Sequence, residues 1–479
     1  MISVIDDPRI KGKCQIFTPN KIVSQMLDLA GYTGDVIGRT ILENSCGDGE
    51  FLVEIVSRYI TSGISSNMTT EGICKGLEQD ITAYDIDESL VNTCKSRLDE
   101  IAQRYNLTSV KWNIQKRSFL EPDVMGQYDY IVGNPPYIAY SDLPECERNA
   151  LRSRFDSCKK GKFDYSYAFI EKSYKMLSPT GKLVYIIPTN IFKNVFADTL
   201  RTLIKNDLTS IIDYPHDKVF KEVLVSPAII VVNKGSNLPT LSYSIMRKEK
   251  KETHIVPKTT LSTKWIFDAV DRVGRRVGNH FKVSNTIATL CNDIFILKDG
   301  CIRGDYYVFD NSSVETALLK KATSPKSKRY AKECNDYIIF PYYYNDAGEL
   351  LRYSEDEMKQ YFPYALAYLQ NHKTKLSQRD ADSSAKWYEY GRSQALQHIH
   401  QRKVIISSVI SEDTKAYLLE ADEISYAGLF ITPTGDVTLE ELMTQLNSPA
   451  FREYASSVGV SVSGSSKRIS AKDIENFLF

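Results

Sequence analysis

Tyr128-Asp129-Tyr130-Ile131-Val132-Gly133-Asn134-Pro135-Pro136-Tyr137 is an apolar run that ends in a stiff turn. Tyr128 to Gly133 has the length and composition of a short buried strand. The two prolines supply no backbone N–H and push the residues before them towards extended conformations. The turn therefore offers acceptors without competing donors, namely the Asn134 side-chain oxygen and the Pro135 carbonyl. Tyr137 adds a ring beside them. Such a loop suits an exocyclic amino group on a planar base, held by two acceptors with an aromatic face behind it.

Working outward, strand and helix patterns alternate. Ile41 to Glu43 is a predicted strand, followed by a glycine-containing turn and a helix from about Asp48 to Ile60. Ile81 to Asp85 is the second strand, and Asp87 opens a helix running to about Arg104. A third strand falls near Lys111 to Gln115. Beyond Tyr137 come a helix from about Asp164 to Leu177, a strand at Leu183 to Ile187 and a helix from about Val195 to Lys205. Strands at Leu208 to Tyr214 and Leu224 to Asn233 follow, too closely joined for a crossover helix, so they should pair antiparallel. The fold class is α/β, with a mostly parallel, doubly wound sheet. After Val232 the alternation fades into polar loops, short strands and aromatic clusters such as Phe340-Pro341-Tyr342-Tyr343-Tyr344. Two domains are expected, 1–245 and 246–479, the second of mixed α+β character.

Composition narrows the classes. The 479 residues contain 42% hydrophobic residues, enough for sizeable cores. Runs such as Leu183 to Ile187 are far too short to span a bilayer. Met1 to Lys13 has no apolar signal core, so a cytoplasmic location is expected. Nine cysteines without a C-x-x-C pair argue against a disulfide framework and a structural zinc site. The formal net charge is zero, but its distribution is uneven. Residues 1–240 carry about −2 and residues 241–410 about +8, an asymmetry that suggests a nucleic-acid face on the second half.

Glu43-Asn44-Ser45-Cys46-Gly47-Asp48-Gly49 lies between the first strand and its helix, where Gly47 and Gly49 let backbone approach a ligand. Asp85 ends the second strand, placed to accept hydrogen bonds from both hydroxyls of a ribose. Ser118-Phe119 follows the third strand, where an aromatic ring can pack on an adenine. Ligands of open α/β sheets bind outside the carboxyl ends of the strands, and these loops share that edge with Asn134 to Tyr137.

The series Phe17-Thr18-Pro19, Glu43 to Gly49, Asp85, Ser118-Phe119 and N-P-P-Y resembles the gamma-class N6-adenine DNA methyltransferases of the TaqI-like kind. The likeness continues through Asp164-Tyr165, Gly181 to Pro188 and Val219-Phe220. Asn292 to Leu297 and Lys386 to Arg392 are similar to patterns in that family's target-recognition domain. The resemblance implies a Rossmann-like class I methyltransferase domain followed by a target-recognition domain. It also implies S-adenosylmethionine as cofactor, held by Thr18, Glu43, Asn44, Ser45, Cys46, Gly47, Gly49, Asp85, Ile86, Ser118, Phe119 and Pro136. Asn134, Pro135, Pro136 and Tyr137 would hold the target base, with Phe220 facing Tyr137 across it. The chain departs from the family at Ser118, where Asp is usual, and at Asn44, where proline is common.

The activity so implied is site-specific methylation of adenine N6 in duplex DNA, on a base flipped from the helix. The expected partners are double-stranded DNA and, in a restriction–modification setting, a separately encoded endonuclease, with the enzyme acting as a monomer. No metal is called for. Phosphate contacts are expected from Lys326, Lys328, Arg329, Lys373, Arg379 and Arg392. Rival readings are a protein-glutamine or RNA methyltransferase using the same loop, and a DNA-binding relative with a dead cofactor site. A fused nuclease is not expected, since the pattern starts by Phe17. The long second half disfavours the compact glutamine methyltransferases, and the intact Asp85 and N-P-P-Y disfavour a dead site.

Overall fold

The computed structural model describes residues 18–215, 226–247, 250–267, 273–310, 312–330, 336–462 and 466–479. It divides into two compact units, Met1–Phe267 and Asp268–Phe479. In the first, the described elements run α1 (Asn20–Ala30), β1 (Ile41–Glu43), α2 (Glu50–Ser65), α3 (Thr70–Asp80), β2 (Ile81–Asp85), α4 (Glu88–Arg104), β3 (Asn113–Lys116) and β4 (Tyr128–Gly133). They continue with α5 (Glu145–Arg154), α6 (Ser166–Met176), β5 (Leu177–Pro188), α7 (Asp198–Ile204), β6 (Leu208–Asp213), β7 (Pro227–Asn233), β8 (Thr240–Arg247) and β9 (Lys250–Pro257).

The nine strands form one sheet in the order β3-β2-β1-β4-β5-β7-β6-β8-β9. Pairing is parallel from β3 through β5, and β7 runs antiparallel between β5 and β6, as the short connection required. Alternate residues of one strand enter different cores. Leu183, Tyr185 and Ile187 join the cluster with Phe119, Ile131 and Phe169. Val184 and Ile186 join the one with Leu27, Phe51 and Val132. Burial on both faces explains why Leu183 to Ile187 of β5, and β7, are nearly continuous apolar runs.

The strand order reverses where β1 leads on one side to β2 and on the other to β4. That switch point places the loops after β1 and β4 side by side at the carboxyl edge. The unit ends later than the expected boundary at residue 245. Lys234 to Pro239 is only a turn, after which β8 pairs parallel with β6 and β9 pairs with β8. The sheet therefore continues through β8, which spans that boundary, to β9 beyond it.

The second unit holds smaller sheets. One is antiparallel, in the order Phe281–Asn285, Leu429–Pro433, Lys403–Ile406, Tyr417–Leu419. Another is mixed, in the order Ile296–Leu297, Tyr337–Ile339, Leu319–Thr323, Glu423–Ser425. Phe295, Tyr388, Tyr390, Ile405 and Phe430 share its core. Tyr388 and Tyr390 of the Lys386–Arg392 stretch are thus interior residues, holding that segment by packing. Among the described residues no helix is long and apolar enough to cross a membrane.

Candidate functional site

A cleft of about 960 Å³, its mouth included, opens at the carboxyl edge of the large sheet. Its wall contains Thr18, Glu43, Asn44, Ser45, Cys46, Gly47, Asp85, Ile86, Ser118, Phe119, Asn134 and Pro136. Loops after β1, β2, β3 and β4 thus meet in one cavity. Pro135 and Tyr137 belong to the same loop but not to the cleft wall. Phe220 and Phe17 lie outside the described residues.

Backbone geometry sets the β1 loop. Gly47 has φ +53° and open space where a Cβ would sit, so chain can approach a ligand there. Gly49, at φ +93°, has a different reason. A Cβ would lie 2.6 Å from the Cys94 Sγ, so this glycine allows α2 to pack on α4. Gly49 is outside the cleft wall. The Cys46 thiol is pushed well up by its hydrogen bond with Cys94 and by burial, which leaves it a small, unreactive wall residue.

Asp85 ties the cleft together. Its Oδ2 accepts from the Gly47 N–H at 2.8 Å and its Oδ1 from the Asp87 N–H at 2.9 Å. Burial raises its carboxyl above the ordinary value, against the opposing pull of those N–H groups. Glu43 is only 2% exposed. Burial, with like-charge repulsion from Asp85 and Asp48, holds its carboxyl well above the usual range. Its Oε2 has no hydrogen-bond partner among the described residues. Asn44 donates from Nδ2 to Ser173 Oγ at 2.8 Å and to the Tyr185 hydroxyl, and its Oδ1 also lacks a partner. Two buried acceptors lining a cleft without donors call for a ligand that brings its own, preferably a cation.

The β3 loop supplies the aromatic end. Phe119 packs on Tyr84 at 6.2 Å and on Phe169 at 5.5 Å between ring centres. Lys172 donates to the Phe119 and Glu121 carbonyls, both at 2.7 Å, and burial lowers its amine to about 8. Ser118 Oγ accepts from the Leu120 N–H at 3.2 Å, and the Ser118 N–H donates to Glu121.

In the β4 loop, Asn134 Nδ2 donates to Thr18 Oγ1 at 3.4 Å, and its main-chain carbonyl accepts from Ser45 Oγ at 3.2 Å. The Tyr137 hydroxyl donates to the Ile186 carbonyl near the end of β5. Tyr165 donates its N–H to Ile138 O, and Asp164 bridges to Ala139. Asp164 accepts from the Ser166 N–H and Oγ, and burial pushes its carboxyl up to about 6.

Sequence reasoning did not single out the wall residues Arg117, Phe169 and Leu90, and it named Tyr165 only within the family likeness and Asp87 only as a helix start. A signal existed for two of them. Tyr165 and Phe169 are four apart at the start of α6, so they share a face.

The cations expected at phosphates lie in varied settings in the second unit. Lys326 is exposed. Lys328 pairs with Glu423 at 3.0 Å, Arg329 with Asp413 at 2.8 Å, and Arg392 with Asp380 and Asp382 at 3.0 and 2.9 Å. The Lys373 amine lies 4.9 Å from the Trp387 ring centre. Arg379 requires a correction. Its guanidinium donates to the carbonyls of Leu376, Thr289, Trp387 and Glu389, at 2.6 to 2.9 Å. It buttresses the second unit's own main chain with four of its five N–H donors.

Residues 53–220 match the family described as the Eco57I restriction-modification methylase. Over that stretch the chain is similar to the Eco57I-like methylases of Type II restriction–modification systems. It is 27% identical over 333 residues to the Type II restriction enzyme and methyltransferase RM.Eco57I of Escherichia coli, covering 60% of this chain and 33% of that protein. It is 25% identical over 504 residues to the Type II methyltransferase M.HincII of Haemophilus influenzae, covering 97% of this chain and 88% of that one. The chain thus spans a third of the first relative and most of the second. Among solved structures, the Type IIL restriction-modification enzyme MmeI in complex with DNA superposes with a TM-score of 0.58 at 13% identity. That match covers 95% of this chain and 64% of MmeI, a likeness of fold.

Proposed function

We propose that this chain is a site-specific DNA adenine methyltransferase, moving a methyl group from S-adenosylmethionine to the N6 amine of an adenine turned out of duplex DNA. One observation carries the reading. Asn134 and Pro136 of the amine-clamping loop line the same cleft as Asp85, Glu43 and Phe119.

The residues present fit the cofactor. Glu43 and Asn44 hold buried acceptor oxygens without donors, which suit an ammonium group. Asp85 has lone pairs left for ribose hydroxyls beyond those facing Gly47 and Asp87. Phe119 and Ile86 provide an apolar seat for an adenine ring. When bound, S-adenosylmethionine supplies an electrophilic methyl group on a cationic sulfur.

The chain's contribution is orientation and electrostatics. The adenine amine is a weak nucleophile because its lone pair is delocalised into the ring. Acceptance of its two hydrogens by the Asn134 side-chain oxygen and the Pro135 carbonyl favours a pyramidal nitrogen with its lone pair free. The same oxygens stabilise the positive charge that develops there. Tyr137, anchored by its hydroxyl on Ile186 O, offers a ring on which the extruded base can stack. No protein nucleophile is required. Recognition of the target sequence falls to the second unit in this reading, with cofactor and chemistry in the first.

The test joins product and variant. Genomic DNA from cells expressing the chain should contain N6-methyladenine at a defined sequence. Asn134→Ala should lower turnover by about 30- to 1000-fold, the ~2–4 kcal/mol typical of one well-placed polar group. Its affinity for S-adenosylmethionine should stay within several-fold. Unmodified DNA, or an Asn134→Ala protein near wild-type turnover, would refute the proposal.

A further inference from the structure

Three of the six cations of the second unit expected at phosphates are neutralised by carboxylates of the same unit. Lys328, Arg329 and Arg392 each have such a partner. The reverse holds beside the amine-clamping loop. Arg148, Arg152 and Arg154 on α5, and Lys160 and Lys162 after it, have no ion pair among the described residues. Only Lys159 of this stretch is paired, with Asp156. Carboxylates are present, at Asp142, Glu145, Glu147 and Asp156, but they are fewer than the cations.

These cations are held in place. The guanidinium carbons of Arg148 and Arg152 lie 4.8 and 5.2 Å from the ring centre of Tyr140, three positions past Tyr137. Tyr140 in turn packs edge-on against Phe163 at 5.3 Å. Arg152 donates to the Tyr140 hydroxyl at 2.8 Å and to Gly161 O at 3.2 Å. The Nε atoms of Arg148 and Arg152 have no hydrogen-bond partner among the described residues. Gly161, at φ +68°, fixes the lysine loop. A Cβ there would lie 1.9 Å from Phe196, so the chain between Lys160 and Lys162 rests on that ring. Phe196 belongs to the segment after β5, so the basic loop is docked on the carboxyl edge, next to the clamp.

We infer that Arg148, Arg152, Lys160 and Lys162 form a phosphate-binding face on the catalytic unit, which grips the DNA backbone beside the extruded nucleotide. The inference rests on the proposed activity and adds its partner surface. Extrusion of a base needs its flanking phosphates held while the stack is broken. Cations without an ion pair among the described residues, two of them stacked on Tyr140 just past the clamp, do this without reading sequence.

The test uses the full chain and the exposed pair. Lys160→Glu/Lys162→Glu should weaken duplex binding at least about tenfold at 0.1 M salt. It should also reduce the slope of log affinity against log salt by about two, as expected for two lost phosphate contacts. Loss should be equal on target and scrambled duplexes, with S-adenosylmethionine affinity within twofold by calorimetry. Lys160→Arg/Lys162→Arg should retain wild-type slope, and the milder Lys→Gln pair should fall between. Wild-type affinity and slope in the Glu variant, while the unmutated chain binds duplex DNA, overturns this inference and leaves the proposed function standing. If the unmutated chain binds no duplex at all, both fall.

Discussion

Asp85→Asn removes one charge at nearly constant volume and separates two jobs of one side chain. The carboxylate has about four lone-pair sites, of which the Gly47 and Asp87 N–H groups take two, one on each oxygen. Two remain for ribose hydroxyls. Asparagine keeps one oxygen and turns its NH2 towards one of those two main-chain donors. One charge-assisted hydrogen bond is lost, worth about 1.5–3 kcal/mol, and a buried N–H then faces another donor. Relief from burying a charge offsets part of this, since the Asp85 carboxyl is already raised by burial. The net expectation is a loss of about 1–3 kcal/mol in folding stability, several degrees in Tm for a unit of this size. For the cofactor, a ribose bond of about 1.5–3 kcal/mol corresponds to a Kd raised about 10- to 150-fold. Titration calorimetry with S-adenosylmethionine and thermal unfolding with and without it measure the two effects separately. A lowered Tm with unchanged Kd would leave Asp85 as a tether and move the ribose contact elsewhere. Unchanged Kd and unchanged Tm would refute the reasoning altogether.

The remaining predictions concern Glu43 and Arg379. Burial shifts the Glu43 carboxyl towards its protonated form, and a cationic ligand beside it favours the ionised one, so cofactor binding should release protons and tighten as pH rises towards the raised pKa. Calorimetry in buffers of different ionisation enthalpy should detect that release in the wild type and miss it in Glu43→Gln. A carboxyl whose folded pKa is raised contributes stability that is full below its unfolded value and lost as pH rises through the folded one. Ligand-free Glu43→Gln should therefore match the wild type near pH 4 and exceed it in stability at neutral pH, by denaturant titration at both. Arg379→Ala should lose about 3–5 kcal/mol of second-unit stability, because buried carbonyls are left without donors. Its salt dependence of DNA binding should stay at the wild-type slope; a reduced slope with normal stability would return Arg379 to the phosphate contacts.

What was legible in the sequence was carried by residues whose backbone chemistry is unusual. Gly47, the paired prolines and the acid ending β2 act through φ restriction, missing donors and position at a strand end, and all three features survive in a single sequence. Helix α3 was not legible. Its Gly72 and Gly76 are poor helix formers, yet a Cβ on Gly76 would lie 2.1 Å from the Tyr59 hydroxyl, so the glycine serves close packing on α2. Helix α5 was missed because it is polar and buries only Leu151. The early part of β5 was missed because Leu177 to Gly181 looks like the end of a helix and a turn; pairing of Tyr128 with Leu177 makes it strand. The role of Arg379 was hidden for a general reason. A basic side chain has the same letter whether it meets a phosphate or the chain's own carbonyls, and only tertiary structure distinguishes them.

The two departures from the family pattern have different physical consequences. Asn44 replaces the rigidity of proline with hydrogen bonds to Ser173 on α6 and Tyr185 on β5, so the β1 loop is anchored to two elements instead of stiffened internally. Because Nδ2 is spent on that anchor, the amide oxygen remains in the cleft wall, an acceptor that proline cannot offer. Ser118 has no such compensation. Its hydroxyl accepts from Leu120 and its N–H goes to Glu121, so the position stiffens its own loop and brings no carboxylate to an adenine amine. In the proposed reading, recognition at that end rests on the Phe119 and Phe169 rings and on shape. Apolar seating cannot reject a ring that merely differs in one exocyclic group as strongly as a dedicated hydrogen bond can. Discrimination among cofactor analogues should therefore be sharp at the Glu43–Asn44 end of the cleft and loose at the Ser118–Phe119 end.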